Sequence, residues 1–173
     1  TYSRLVEPFG EDLQDPRCWG YSDARGMGEL REILGSGNVE SGKGGYHIPS
    51  DRIILGAGAS GASRTLFSAL INRSAGDEVV IPEWSYIIYF AEAALSEAKV
   101  VNVPLTALGE PNVVQLRKAI NERTKAVFIT TVGNPLSIAM RKDTFVGIIS
   151  TINEKEREFN HPIYLVADTM YEG

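Results

Sequence analysis

The feature that most constrains this chain is a series of short apolar runs, each cut off by a turn former. Arg52-Ile53-Ile54-Leu55 ends at glycines, Glu78-Val79-Val80-Ile81 at Pro82, Lys99 to Val103 at Pro104, Ala126 to Val132 at Gly133, and Ile163 to Ala167 at Asp168. None of the runs alternates apolar with polar residues, so each reads as a strand covered on both faces. Helical periodicity fills the gaps between them. Ile87, Phe90, Ala91 and Ala94 fall at i, i+3, i+4 and i+7, as do Phe145, Ile148, Ile149 and Ile152, while Val113, Leu116 and Ile120 make one face. Strand and helix in strict alternation predict an α/β fold, a three-layer αβα arrangement around a mostly parallel sheet with five strands in this chain.

Composition removes several function classes. With 173 residues the chain is long enough for a real core without a disulfide or a structural metal, and the lone Cys18 can form no internal bridge, which fits a reducing, cytoplasmic setting. No run approaches the ~18 apolar residues that a membrane span requires, and the first residues lack the layout of a signal peptide. The 17 Lys and Arg against 22 Asp and Glu, a net charge of −5, are scattered, which argues against a nucleic-acid partner. Residues 1–50 read as a separate lead-in: a short helix over Gly26 to Leu34, then Gly35, Gly37, Gly42, Gly44 and Gly45 in a loop closed by Pro49. Residues 51–173 carry the strands. The two histidines, His47 in the glycine loop and His161 before Pro162, have no metal-ligand spacing.

In open α/β sheets ligands bind at the carboxyl ends of the strands, so the residues after each run are the candidates for chemistry. After the first run comes Gly56-Ala57-Gly58-Ala59-Ser60-Gly61, followed by a helical run with Ala62, Leu66 and Leu70 on one side. Small residues there let backbone N–H groups at a helix N-terminus approach an anion, and the helix dipole adds to the attraction. A phosphate fits this turn under two readings. One is a nicotinamide or flavin dinucleotide, with Glu83 after the next strand as the ribose-binding acid; the other depends on segments further along.

Six segments, taken in order, resemble the pyridoxal-phosphate-dependent aminotransferases of fold type I, class I/II. Tyr21-Ser22-Asp23-Ala24-Arg25-Gly26-Met27-Gly28-Glu29-Leu30-Arg31 is similar to the family's Y-x-x-x-x-G-x-x-x-L/F-R, and Gly58-Ala59-Ser60 falls on its phosphate turn. Ala75-Gly76-Asp77-Glu78-Val79 resembles P-G-D-E-V, Pro82-Glu83-Trp84-Ser85-Tyr86 is similar to the P-x-[WF] segment, Asn134-Pro135 stands for N-P-x-G, and Asp168-Thr169-Met170-Tyr171 for D-x-x-Y. The likeness runs from Tyr21 to Tyr171 and implies the N-terminal portion of the family's large domain, truncated. It implies pyridoxal phosphate as cofactor, held by Gly58, Ala59 and Ser60 at its phosphate, by Trp84 on its ring face, by Asp168 at its ring nitrogen, and by Asn134 and Tyr171 at its ring hydroxyl. Tyr21 is implied to reach the phosphate of a partner subunit, hence a homodimer with shared sites.

The pattern also departs from the family. The glycine of N-P-x-G is Ser137 here, and the acid expected after Asp168 is Thr169. The Schiff-base lysine of the family lies downstream of D-x-x-Y, and none of Lys43, Lys99, Lys118, Lys125, Lys142 and Lys155 stands there. Transamination needs that amine as anchor and as base. The expectation is therefore a fragment of an enzyme that moves an amino group from an amino acid to a 2-oxo acid, inactive as this chain alone, with no catalytic residue of its own. A related fold type I lyase, decarboxylase or synthase, and the dinucleotide-binding domain, are the alternatives.

Overall fold

The computed structural model of the chain describes residues 20–36 and 47–171. Cys18, Lys43 and the glycines at 37, 42, 44 and 45 lie outside them. The chain divides into two compact units, Thr1–Gly56 and Ala57–Gly173.

In the first unit helix α1, Gly28–Gly35, is fixed by its own Arg31. The buried guanidinium donates to Gly26 O at 3.1 Å, Ser50 O at 2.8 Å and Asp23 Oδ2 at 2.9 Å. Arg25 also bonds Asp23 and holds its carboxyl down at about 2. Gly26 has φ +93°, and a Cβ there would lie 2.6 Å from Leu55 Cδ1, so the position admits only glycine. The glycine and the arginine of the first motif thus have structural reasons. The expected strand at Arg52–Leu55 does not form. Ser50–Arg52 is a 3₁₀ turn and residues 53–56 are irregular. Ile53 N–H donates to Ser50 O at 3.3 Å and Leu55 N–H to Arg25 O at 2.8 Å, so these two donors are taken by partners other than a neighbouring strand.

The second unit holds helix α2, Gly58–Leu70, strand β1, Glu78–Pro82, α3, Ile87–Leu95, β2, Lys99–Val103, α4, Val113–Ala119, β3, Thr124–Thr130, α5, Lys142–Phe159, and β4, Tyr164–Asp168. The four strands pair in the order β2-β1-β3-β4, all parallel. Successive residues of each strand point to opposite faces, and both faces are covered. Val80, Val127 and Ile129 meet Leu116, Ile120, Ile148 and Ile152 of the α4 and α5 layer. Val79, Ile81, Ala126 and Phe128 meet Phe67 of α2 and Tyr89 and Ala93 of α3. That is the expected three-layer αβα arrangement.

The strands and helices of this unit stand where periodicity puts them, but two helices turn a different face inward. On α3 the buried residues are Tyr89, Glu92 and Ala93, whereas Ile87 is 69% exposed and Ala91 and Ala94 are also exposed. On α2 they are Ser63 and Phe67, with Ala62 and Leu66 outside. Ile87-Ile88-Tyr89-Phe90-Ala91 is apolar nearly all round, so spacing alone admits more than one stripe. Packing against Phe128 selects Tyr89, whose ring lies 5.6 Å away, and Arg64 of α2 reaches Glu92 at 3.3 Å.

Two carboxylates brace the loops around the sheet. Glu78, 1% exposed, accepts from Lys99 Nζ at 2.8 Å, Asn121 Nδ2 at 2.7 Å and Arg123 Nε at 3.3 Å at the amino end of β1. Glu110 accepts from the backbone N of Arg141 at 2.6 Å, from Arg141 Nε at 2.8 Å and from Thr144 Oγ1 at 3.1 Å. It caps α5, whose N-cap residue Arg141 makes no side-chain cap of its own.

Candidate functional site

Because all strands run one way, their carboxyl ends share one side of the sheet. There the N-terminus of α2, the loop after β3 and the end of β4 enclose a pocket of about 160 Å³. Ala59 and Ser60 of α2, Asn134 after β3, and Asp168 and Tyr171 at the end of β4 all line it. These are five of the eight residues that the sequence puts at the cofactor. Thr130, Tyr86 and Met170 complete the wall.

Each side chain is placed by identifiable backbone features. Gly58 opens α2 with φ +69°, in the left-handed region that favours glycine. The helix has no side-chain cap, which leaves its first amide groups to an outside acceptor. Asp168 ends β4, and its main-chain carbonyl accepts from Thr131 N at 3.1 Å and Thr131 Oγ1 at 3.2 Å. Its Oδ1 accepts from Met170 N at 3.0 Å, and its Oδ2 accepts from the hydroxyl of Tyr89. Burial, then the bond to Asp168 and the charge of that carboxylate, push the Tyr89 hydroxyl well above the usual phenol range. Asn134 Nδ2 donates to Tyr171 Oη at 3.0 Å.

The loop that carries Asn134 is closed by a Val132–Ala139 bridge and by Gly133 N donating to Ile138 O at 2.9 Å. Ser137, in the place of the motif's glycine, has φ 55°. The loop keeps the glycine-type turn although the glycine is gone.

Trp84 stands apart. It is 67% exposed, with φ 57°, and it lines a neighbouring pocket of about 30 Å³ together with Glu83, Ser85 and Leu136. Thr130 is common to both pockets. Tyr86, two residues on, is the residue of that segment that lines the larger one. Tyr21 belongs to the first unit and is fully exposed. Sequence reasoning includes Tyr86 in its motif segment without giving it a role, and misses Tyr89. Tyr89 gives no signal in the sequence, since its partner lies 79 residues away.

Among the described residues no lysine lines the pocket. Lys99 pairs with Glu78 at 2.8 Å, Lys125 with Asp77 at 3.8 Å and Lys155 with Glu158 at 2.7 Å. Nor, among those residues, do three His, Cys, Asp or Glu side chains gather to hold a metal, and no helix is long and apolar enough to cross a membrane.

Comparison with known proteins names the group to which this arrangement belongs. The profile of aminotransferases of class I and II matches residues 13–173. The chain belongs to this family. It is 32% identical to an aspartate aminotransferase of Pyrococcus horikoshii over 88% of its length and 37% of that protein. It is 29% identical to a probable aspartate aminotransferase of Methanocaldococcus jannaschii over 99% of its length and 43% of that protein. The fold matches the crystal structure of an amino transferase from Eubacterium rectale with a TM-score of 0.82 at 23% identity, over 96% of this chain and 41% of that one. The chain thus spans about two fifths of the aminotransferases it matches. The dinucleotide alternative is not favoured: the relatives quoted are aminotransferases, and Glu83 is exposed beyond the end of β1. The lyase, decarboxylase or synthase alternative is likewise not favoured by them.

Proposed function

We propose that this chain supplies the pyridoxal-phosphate pocket of an aminotransferase that moves an amino group from an amino acid to a 2-oxo acid. The observation that carries the proposal is that an uncapped helix N-terminus and a strand-end carboxylate line one pocket. An anion is favoured at the first and a cation at the second, and the cofactor carries both a phosphate and a protonated ring nitrogen. The donor set therefore fits the group.

When bound, pyridoxal phosphate supplies the electron sink that the transfer needs. The residues do the rest. Gly58, Ala59 and Ser60 would hold the phosphate with backbone N–H groups and the Ser60 hydroxyl. Asp168 would keep the ring nitrogen protonated by its negative charge, and Asn134 and Tyr171, already hydrogen-bonded together, would donate to the ring hydroxyl. The segment Trp84 to Tyr86 would cover the ring, with Tyr86 the nearer to the pocket. Comparing Trp84→Ala with Tyr86→Ala by quenching of the bound cofactor's fluorescence identifies which of the two it is.

With no lysine in the pocket among the described residues, the 173-residue chain should bind the cofactor without a covalent link. Mixed with pyridoxal phosphate it should give a saturable change in cofactor absorbance, weakened about tenfold or more by Asp168→Asn, as expected for a hydrogen bond to a charged group. Borohydride should trap no lysine adduct, and the chain alone should turn over no amino acid. Absence of saturable binding, or equal binding by Asp168→Asn, would sink the reading.

The homodimer with Tyr21 reaching a partner's phosphate, and a cytoplasmic location, belong to the same proposal. They are supported by the motif around Tyr21 and by the single cysteine. Light scattering of the whole protein, with cofactor affinity compared between wild type and Tyr21→Phe, tests the first.

A further inference from the structure

Tyr89 is absent from every motif, yet the structure ties it to the carboxylate at the end of β4 that lines the pocket. Its ring is buried in the apolar layer formed by α2 and α3 on the sheet, tilted against Phe128 and edge-on to Tyr86 at 5.8 Å. A hydroxyl in such surroundings costs free energy unless it finds a partner, and the partner it finds is Asp168 Oδ2. Asp168 is thereby held on three sides: Tyr89 on one oxygen, Met170 N–H on the other, and Thr131 on the main-chain carbonyl.

We propose that Tyr89 is a positioning residue for the cofactor's ring nitrogen: it donates to Asp168 and so fixes the plane of that carboxylate. This rests on the cofactor reading above and deepens it. Each carboxylate oxygen has two lone-pair sites. With one site on each oxygen taken by a fixed donor, free rotation of the group is removed and the ring N–H meets an acceptor already oriented. No proton need pass to or from Tyr89, whose hydroxyl stays protonated throughout.

The test separates this role from mere packing. The 173-residue chain is titrated with pyridoxal phosphate and with a carbocyclic analogue in which CH replaces the ring nitrogen. Wild type should prefer the natural cofactor. Tyr89→Phe, which keeps the ring, should lower that preference roughly fivefold or more while leaving affinity for the analogue unchanged. In an Asp168→Asn background, adding Tyr89→Phe should change the preference no further. Both ligands weakened alike, neither weakened, or a further loss in the double variant would overturn the proposal. Independently of any variant, the Cζ resonance of Tyr89 in carbon-13 tyrosine-labelled chain should shift on binding the cofactor and not the analogue; an unmoved resonance counts against it. Failure of wild type to bind pyridoxal phosphate at all would instead remove the cofactor reading itself, and this proposal with it.

Discussion

At Ser137 a single backbone angle records a departure from the family pattern. The motif N-P-x-G ends on glycine, and here Ser137 takes φ 55° in its place. A left-handed conformation costs an L-residue roughly 1–2 kcal/mol, whereas glycine adds roughly 0.4–1 kcal/mol of unfolded-state entropy. Relief of strain is the larger effect, so Ser137→Gly should stabilise the chain by about 0.5–1 kcal/mol. It would appear as a higher urea midpoint at unchanged slope; a lower midpoint would show that the Ser137 side chain contributes more than the strain it carries. Much at this scale is legible in the sequence. Gly58, Ser60, Asn134, Asp168 and Tyr171 are all named by motif, and four of them line the pocket directly. Trp84 is named as readily and stands outside it, because a motif fixes an order of residues and not the course of the loop that carries them.

Between elements, the support of α5 comes from a distant loop. Glu110 accepts from the backbone of Arg141, from its guanidinium and from Thr144, and it thereby joins the loop after β2 to the start of the longest helix. Glu110→Gln removes the charge and converts one of its acceptor oxygens to a donor group that faces other donors. The first-turn amides of α5 should then exchange with solvent markedly faster than in wild type, while those of α4, capped by its own Asn112, stay unchanged. Uniform acceleration across both helices would mean global destabilisation and not loss of a cap. The existence of both helices is readable from their spacing, and the cap of α4 is written beside it in sequence. The cap of α5 is not, since it lies 31 residues away.

For the whole molecule these buried carboxylates set the response to acid. The bonds that Arg141 donates from its side chain and backbone, with Thr144, hold Glu110 below the usual carboxylate range. Burial pushes Glu78 up, but Lys99, Asn121 and Arg123 outweigh it and leave that group lowered as well. A carboxylate whose folded value is depressed binds fewer protons folded than unfolded at intermediate pH. Its stabilisation is thus present above the unfolded value near 4.5 and is lost as the pH falls through the folded one. Denaturation midpoints should be level near neutrality and drop steadily below about pH 4.5, and the drop should be shallower in Glu110→Gln. A midpoint that rises on acidification would contradict the assignment.

The sequence by itself determined the layering and the end of the sheet at which chemistry gathers. Apolar runs without alternation require cover on both faces, and parallel strands bring their carboxyl ends to one side whatever their order. Only the tertiary structure decided which side chains meet there. With the strands in the order β2-β1-β3-β4, Tyr89 of α3 turns inward onto the sheet, against Phe128 of β3, and its hydroxyl reaches Asp168 at the end of β4. Within the first unit the 52–55 segment forms no strand, because Ile53 and Leu55 donate their backbone N–H groups to Ser50 and Arg25. Local periodicity reports a neighbour's existence and its polarity. The identity of that neighbour depends on contacts between segments far apart in sequence, and these exist only once the chain has folded.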